Sequence, residues 1–184
     1  MTGEKASPVT RHTSHVTPMD WTIEPMETSH LSEVMELEKR TYPDSIWPAS
    51  LFFCEINLNP SGIYFVALKN GKVIGYAGMW LKMRQSHITT VVVDENYRGK
   101  GTGMSLVIKL LREAIKHKAS HSILEVKKSN RAAIKLYKKL GFKEIGIRKN
   151  YYLEDKEDAV VMFLENLKGK SVKETLEQLS VTWR

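Results

Sequence analysis

The sequence holds few of the devices that staple, anchor or export a chain. Among its 184 residues there is one cysteine, Cys54. A lone thiol cannot close an internal disulfide and excludes cysteine-paired zinc or iron–sulfur sites, so the expectation is a reduced intracellular protein with no metal. Cys54 itself is expected to be a small buried hydrophobe on a helix. No apolar run approaches the ~20 residues that cross a bilayer, and residues 1–18 lack the apolar stretch of a signal peptide. A soluble, cytoplasmic protein without membrane contact is expected. With 6 prolines and 11 glycines the chain is not collagen-like, and it contains no internal repeat or low-complexity tract.

Apolar residues make up 42% of the chain and charged ones 27%, the balance of one globular domain able to bury its own core. Acidic residues are scarce in one region. From Arg98 to Lys149 fifteen basic residues stand against three acidic ones (Glu113, Glu125 and Glu144), a surplus of +12 within a whole-chain charge of +7, so the remainder carries −5. Such a region suits nucleic acid or a phosphate-rich small molecule, and equally the solvated faces of Lys-rich helices.

Residues 1–18, rich in Ser, Thr, His and Pro, show no hydrophobic period and read as a tail ahead of a fold that starts near Met19. Trp21 to Glu24 alternates like a strand. Thr28 or Ser29 is then placed to cap a helix with Leu31, Val34 and Met35 on one face, ending near Pro43. Pro48 opens a second helix, and Pro60-Ser61-Gly62 closes it. The apolar runs 63–68 and 73–81 flank Asn70-Gly71, a hairpin signal. A β-branched strand over 88–93 runs into a glycine-rich turn, and a helix follows from Thr102 towards Lys118. A strand over 122–126, a helix from Asn130 to Leu140 stopped by Gly141, and strands over 144–152 and 159–164 complete the order β-α-α-β-β-β-α-β-α-β-β. In the tail, Val172, Leu176 and Leu179 share a helical face that can dock on the body or on a second copy.

The turn Tyr97-Arg98-Gly99-Lys100-Gly101-Thr102-Gly103 lies where a strand gives way to a helix, so several amides can converge on one anion. Its alternating glycines match neither a Walker loop nor G-x-G-x-x-G, which removes support for nucleotide hydrolysis and dinucleotide binding. In context, Val93-Asp94 followed by Arg98-x-x-Gly101-x-Gly103 resembles the acetyl-CoA signature of the GNAT acetyltransferase superfamily. The run from Leu124-Glu125-Val126 through Ser129-Asn130, Ala133-Ile134, Leu136-Tyr137 and Leu140-Gly141-Phe142 resembles the second half of that fold. Asn150-Tyr151-Tyr152 and Glu157-Asp158-Ala159 are similar to the RimI-type and archaeal NatA-like N-terminal acetyltransferases in particular.

The resemblance implies an α/β (α+β) fold with a mixed, mostly antiparallel sheet flanked by helices: a GNAT domain over 19–166 and a helical extension over 167–184. It implies acetyl-CoA as co-substrate, with its pyrophosphate on the amides of Arg98, Gly99, Lys100, Gly101, Thr102 and Gly103. Its pantetheine arm would lie along Val91, Val92 and Val93 and near Asn130, beside a bulge or splay that opens a slot next to the 122–126 strand. Glu125 matches the family's general base, Tyr137 its general acid, and Tyr151 and Tyr152 its peptide-cradling tyrosines. Asp44, in Tyr42-Pro43-Asp44, stands where the NatA-like enzymes carry a glutamate. The residues alone leave other roles open: a solvated strand-end carboxylate for Glu125, core packing for Tyr137, helix capping for Asn130, a turn for Asp44 and hairpin packing for the tyrosine pair. Since adjacent strand residues face opposite ways, one of the two tyrosines at most should reach the substrate. His87, just before the central strand, can relay a proton or be incidental.

The implied partners are protein or peptide N-termini, ribosomal proteins among them, with ribosome association and a monomer or weak homodimer as companions. The Leu124-x-Val126 and Ser129-Asn130-Arg131-Ala132-Ala133 segments lean towards the broader NatA-like specificity. A single ribosomal target, lysine or small-molecule acetylation, and a basic nucleic-acid module are the alternatives.

Overall fold

The structure, a computed structural model, describes residues 20–43 and 47–182. The expected tail 1–18 and Asp44 lie outside the described residues. The elements follow the expected order: β1 (Thr22–Pro25), α1 (Leu31–Thr41), α2 (Ala49–Asn57), β2 (Gly62–Lys69), β3 (Lys72–Lys82), β4 (Gln85–Val93), α3 (Thr102–Lys116), β5 (His121–Lys127), α4 (Arg131–Lys139), β6 (Lys143–Tyr152), β7 (Glu157–Leu164) and α5 (Lys170–Thr182). The strands form one sheet in the order β1-β2-β3-β4-β5-β7-β6. Among the described residues only β4 and β5 pair in parallel, with α3 as the crossover between them. The β2–β3 turn has Asn70 and Gly71 at φ 51° and 75°, the left-handed pair that a type I′ hairpin requires.

Two apolar layers hold the sheet. On one face, Leu106, Leu110 and Ala114 of α3 are fully buried, and they pack with Ile88, Leu124, Val126 and Tyr137. On the other, Val34 and Leu37 of α1 and Phe52 of α2 cover Tyr64, Tyr76 and Val92. Along β5 this alternation puts Leu124 and Val126 on the α3 face and turns Glu125 towards α1 and α2.

The central irregularity lies in β4. Gly78 of β3 faces Thr90 and the next residue, Met79, faces Ile88, so Thr89 is an extra residue in a β-bulge. Ile88 consequently belongs to the α3 core while Val92 belongs to the opposite one, although an even spacing in a regular strand would keep them on one face. Behind the bulge the ring of Tyr64 lies against Gly78, where a Cβ would come within 2.1 Å of it. Strand pairing between β4 and β5 stops with Ile88 and Leu124, whereas β5 stays paired with β7 as far as Lys127 and Ala159. A gap opens between β4 and β5 at Glu125.

Several local expectations change. The first helix is not capped by Thr28 or Ser29: these belong to a single 3-10 turn in which His30 Nδ1 accepts the Glu27 N–H at 3.0 Å, and α1 begins at Leu31. Helix α3 ends at Lys116, and Lys118 lies beyond it at φ 63°. Cys54 is exposed, because α2 turns Phe52 and Glu55 inward and leaves Cys54 on its outer side. The C-terminal helix docks on the body: Leu176 is buried, Val172 and Leu179 pack beside it, and Arg112 Nη2 donates to Ser180 Oγ at 2.9 Å. Among the described residues no helix is long and apolar enough to cross a membrane.

Candidate active site

Two half-sites meet at the gap. On the α3 side, β4 ends at Val93, and Asp94 starts a tight turn by accepting the Asn96 N–H at 2.9 Å. Arg98 Nε donates to the Val93 carbonyl at 3.1 Å, which folds the chain back across the strand end. Gly99 and Gly101 adopt φ 74° and 94°, and Gly101 is the N-cap of α3. The first amides of a helix have no intrahelical acceptor, so the turn presents donors and the positive end of the helix dipole together. A Cβ at Gly103 would meet only Leu136 and Val93 side-chain atoms at ordinary contact distance, 3.5 Å, and one at Gly99 would meet nothing within 4 Å. The turn is open and rich in free donors, and its residues would fit the phosphates of a coenzyme. The nearby lysines divide: Lys100 lies 5.4 Å over the Tyr97 ring, while Lys138 is paired with Glu144 at 2.8 Å and Lys116 with Glu113 at 3.0 Å. Part of the basic surplus therefore belongs to solvated helix faces.

Also on this side, the Tyr137 ring packs 5.8 Å from Phe142, and burial holds its hydroxyl protonated well above the usual phenol range, helped by Tyr42 and Tyr152. Asn130 Oδ1 accepts the Ala133 N–H at 3.0 Å, the capping role that the sequence allowed.

Across the sheet, Glu125 has a side chain only 5% exposed, so it is not a solvated strand-end carboxylate. His87 Nε2 lies 2.6 Å from its Oε2. Arg148 Nη1 of β6 lies 3.1 Å from Oε1 as an ion pair, but Oε1 is buried and receives no aligned hydrogen bond. The hydrogen bond from His87 is the largest influence on the carboxyl and, with the charges of His87 and Arg148, holds its pKa below the usual value against the opposing effect of burial. His87 is itself braced. The Trp80 ring stands edge-on to it at 6.3 Å, and Trp80 Nε1 donates to the buried Glu55 Oε2 at 2.7 Å, which also accepts from Tyr64 Oη at 3.0 Å and Asn59 Nδ2 at 2.9 Å.

The tyrosine pair departs from expectation. Asn150 takes φ 48° and the β6–β7 register shifts between Arg148 and Tyr152, so strand alternation is lost. Tyr151 and Tyr152 therefore lie edge-to-face at 5.3 Å rather than on opposite faces. Tyr152 Oη donates to the Glu125 carbonyl at 3.3 Å, and the Arg148 guanidinium sits 5.5 Å over the Tyr151 ring. Sequence reasoning undervalued His87 and missed Arg148 and Glu55 altogether. Only the register that sets His87 against Trp80 and brings β6 beside β5 could have revealed them, and register is not written in one strand.

A bulge in β4, the end of β4–β5 pairing at Leu124, a donor-rich glycine turn on one face and an imidazole-bonded carboxylate on the other make a candidate acyltransferase site. The family model described as Acetyltransferase (GNAT) family matches residues 31–142, and the chain belongs to that family. Several of its relatives are of RimI type. The [ribosomal protein bS18]-alanine N-acetyltransferase of Escherichia coli (strain K12) is 33% identical over 145 residues, covering 78% of this chain and 96% of that one. The N-alpha-acetyltransferase of Sulfurisphaera tokodaii is 30% identical over 158 residues, covering 78% and 92%. The crystal structure of the Escherichia coli ribosomal-protein-S18-alanine N-acetyltransferase superposes with a TM-score of 0.71 at 32% identity, over 79% of this chain and 94% of its own.

Proposed function

We propose that the protein transfers acetyl from acetyl-CoA to the α-amine of protein N-termini, with a small first residue such as the alanine of a ribosomal protein as the preferred acceptor. The observation that carries this reading is the loss of β4–β5 pairing beyond Leu124, which leaves Glu125 beside the glycine turn's end of β4 with His87, Arg148 and Tyr152 around it. The amides of residues 98–103 would hold the phosphates, with Val91–Val93 and Asn130 beside the pantetheine arm. Bound acetyl-CoA supplies the activated acyl group. The chain's own residues orient the amine and move protons.

An α-amine near pKa ~7.8 loses its proton far more readily than a lysine near ~10.4, a difference of about 3.5 kcal/mol, so a modest base suffices for an N-terminus. Glu125, with its pKa held down, anchors the ammonium well and is a poor resting place for a proton. The imidazole hydrogen-bonded to it offers the relay. Tyr137, kept protonated by burial, is the donor to the leaving thiolate; its raised pKa makes it a weaker acid than a free phenol near ~10, so the transfer to a thiolate whose acid lies near ~8.5 is uphill and needs the two groups held close together. The identity with [ribosomal protein bS18]-alanine N-acetyltransferases favours the narrower specificity over the broad NatA-like one.

A peptide panel tests the reading: free N-termini beginning with Ala, Ser, Gly and Met, the same peptides N-blocked, and a blocked peptide carrying one lysine, each assayed with the full chain and acetyl-CoA. Acetylation of free Ala and Ser termini and of none of the blocked peptides is expected. Acetylation confined to the lysine peptide overturns it.

A further inference from the structure

Glu125 uses its two oxygens unequally. Oε2 is occupied by His87 at 2.6 Å. Oε1 is buried and lacks an aligned hydrogen-bond donor, with the Arg148 guanidinium 3.1 Å away as an ion pair. A buried carboxylate oxygen left without a hydrogen bond is a costly arrangement and marks a place where a donor is expected. Arg148 is not itself built in: its side chain is 53% exposed, on an edge strand whose residues are almost all exposed, and the face of Tyr151 lies 5.5 Å from its guanidinium.

We infer that Arg148 holds, in the free enzyme, the position on Glu125 Oε1 that the acceptor's α-ammonium takes in the complex, so that acceptor binding exchanges one cation for another. This rests on the N-terminal acetyltransferase reading above. Both cations carry one charge, so Glu125 is never buried alone, and the incoming ammonium, with three donors, satisfies the oxygen that the misaligned guanidinium does not. The displaced guanidinium remains on the Tyr151 ring. Arg148 is thereby a positioning residue: it keeps the carboxylate charged and in place between turnovers and competes with weakly bound acceptors. The titratable groups facing Glu125 are His87 from β4 and Arg148 and Tyr152 from β6. Lys127 on β5 is held by Asp155, and Val161 of β7 lies opposite Glu125.

The test uses the full chain, saturating acetyl-CoA and an Ala-initiated peptide. Arg148→Gln is expected to lower the acceptor KM by about threefold or more and to move the acid limb of kcat/KM to higher pH, a combination that a merely structural role would not give. Lys143→Gln, which removes the same charge from the far end of β6, should keep the wild-type KM. A raised or unchanged KM in Arg148→Gln, or the same fall in both variants, overturns the exchange. Should Arg148→Gln fail to fold, a crystal structure of the wild type with a CoA–peptide bisubstrate conjugate decides. Arg148 more than about 4 Å from Oε1, with the peptide nitrogen in its place, supports the exchange; Arg148 still paired overturns it. A wild-type chain that acetylates no free N-terminus overturns both readings, whereas an active wild type with a raised KM in Arg148→Gln overturns this one alone.

Discussion

His87 and Glu125 stand on neighbouring strands at the point where those strands part, and their side chains join across it, Nε2 to Oε2 at 2.6 Å. Glu125→Gln should lower kcat/KM by about 10²–10⁴-fold, the range of a lost general base or its anchor. His87→Ala should move the acid limb to higher pH. The sign follows from the carboxyl's depressed pKa: His87 is its largest cause, so removing the ring lets the pKa rise and the carboxylate is lost sooner as pH falls. Rate profiles over pH 5–9 with an Ala-initiated peptide check both.

Tyr137→Phe separates catalysis from packing. The ring contact with Phe142 survives the change, so thermal stability should stay near wild type, while kcat falls by about 10²–10⁴-fold if the hydroxyl supplies the proton. An unchanged kcat would return Tyr137 to the core.

Gly101→Ala addresses the cradle. At φ 94° an alanine is strained by about 1–2 kcal/mol. The variant should melt lower and gain less stabilisation from acetyl-CoA than wild type does, with the KM for acetyl-CoA raised more than that for peptide. Thermal shift with and without acetyl-CoA measures it.

Gly78→Ala addresses the bulge. Its Cβ would meet Tyr64 Cε1 at 2.1 Å, and that ring cannot swing away freely because its hydroxyl is tied to Glu55 at 3.0 Å. Overpacking of this kind costs about 1–3 kcal/mol, readable by urea denaturation.

Glu38 yields a stability prediction of opposite sign to the usual carboxylate. It is 3% exposed, and burial pushes its pKa up to about 7 from 4.5, opposed by a hydrogen bond with the Trp47 backbone. A carboxyl whose folded pKa is raised binds more protons in the native state, so its stabilising effect is present at low pH and is lost as pH rises between 4.5 and about 7. Glu38→Gln should therefore be closer to wild type at pH 4.5 and relatively more stable at pH 8, by about 3 kcal/mol at most. Denaturation at the two pH values checks it.

The element order was legible because each segment carries its own punctuation. Asn70-Gly71 sets the hairpin, Asn130 and Gly141 bracket α4, and Leu106, Leu110 and Ala114 mark the inner stripe of α3. The glycine turn and Glu125 were legible as motifs, and the structure sets them on the two sides of one gap. The partners of His87 were not. His87 gains its meaning from Trp80 across one strand and Glu125 across another, and Arg148 from lying on a strand that reaches β5 only through β7. The tyrosine pair misled because alternation fails where Asn150 turns left-handed, a preference that asparagine advertises only weakly. Cys54 misled because thiols are usually buried, whereas a short amphipathic helix has room inside for only one side.

Thr89 carries a last consequence. Deleting that single residue would set Ile88 and Thr90 consecutively opposite Met79 and Gly78, keep Val92 on its present layer and Val91 and Val93 on the α3 side, and let β4 run flush beside β5 beyond Leu124. The deletion would heal the sheet and close the place where β4 and β5 part. A regular strand and that parting are mutually exclusive, and the protein keeps the imperfect version.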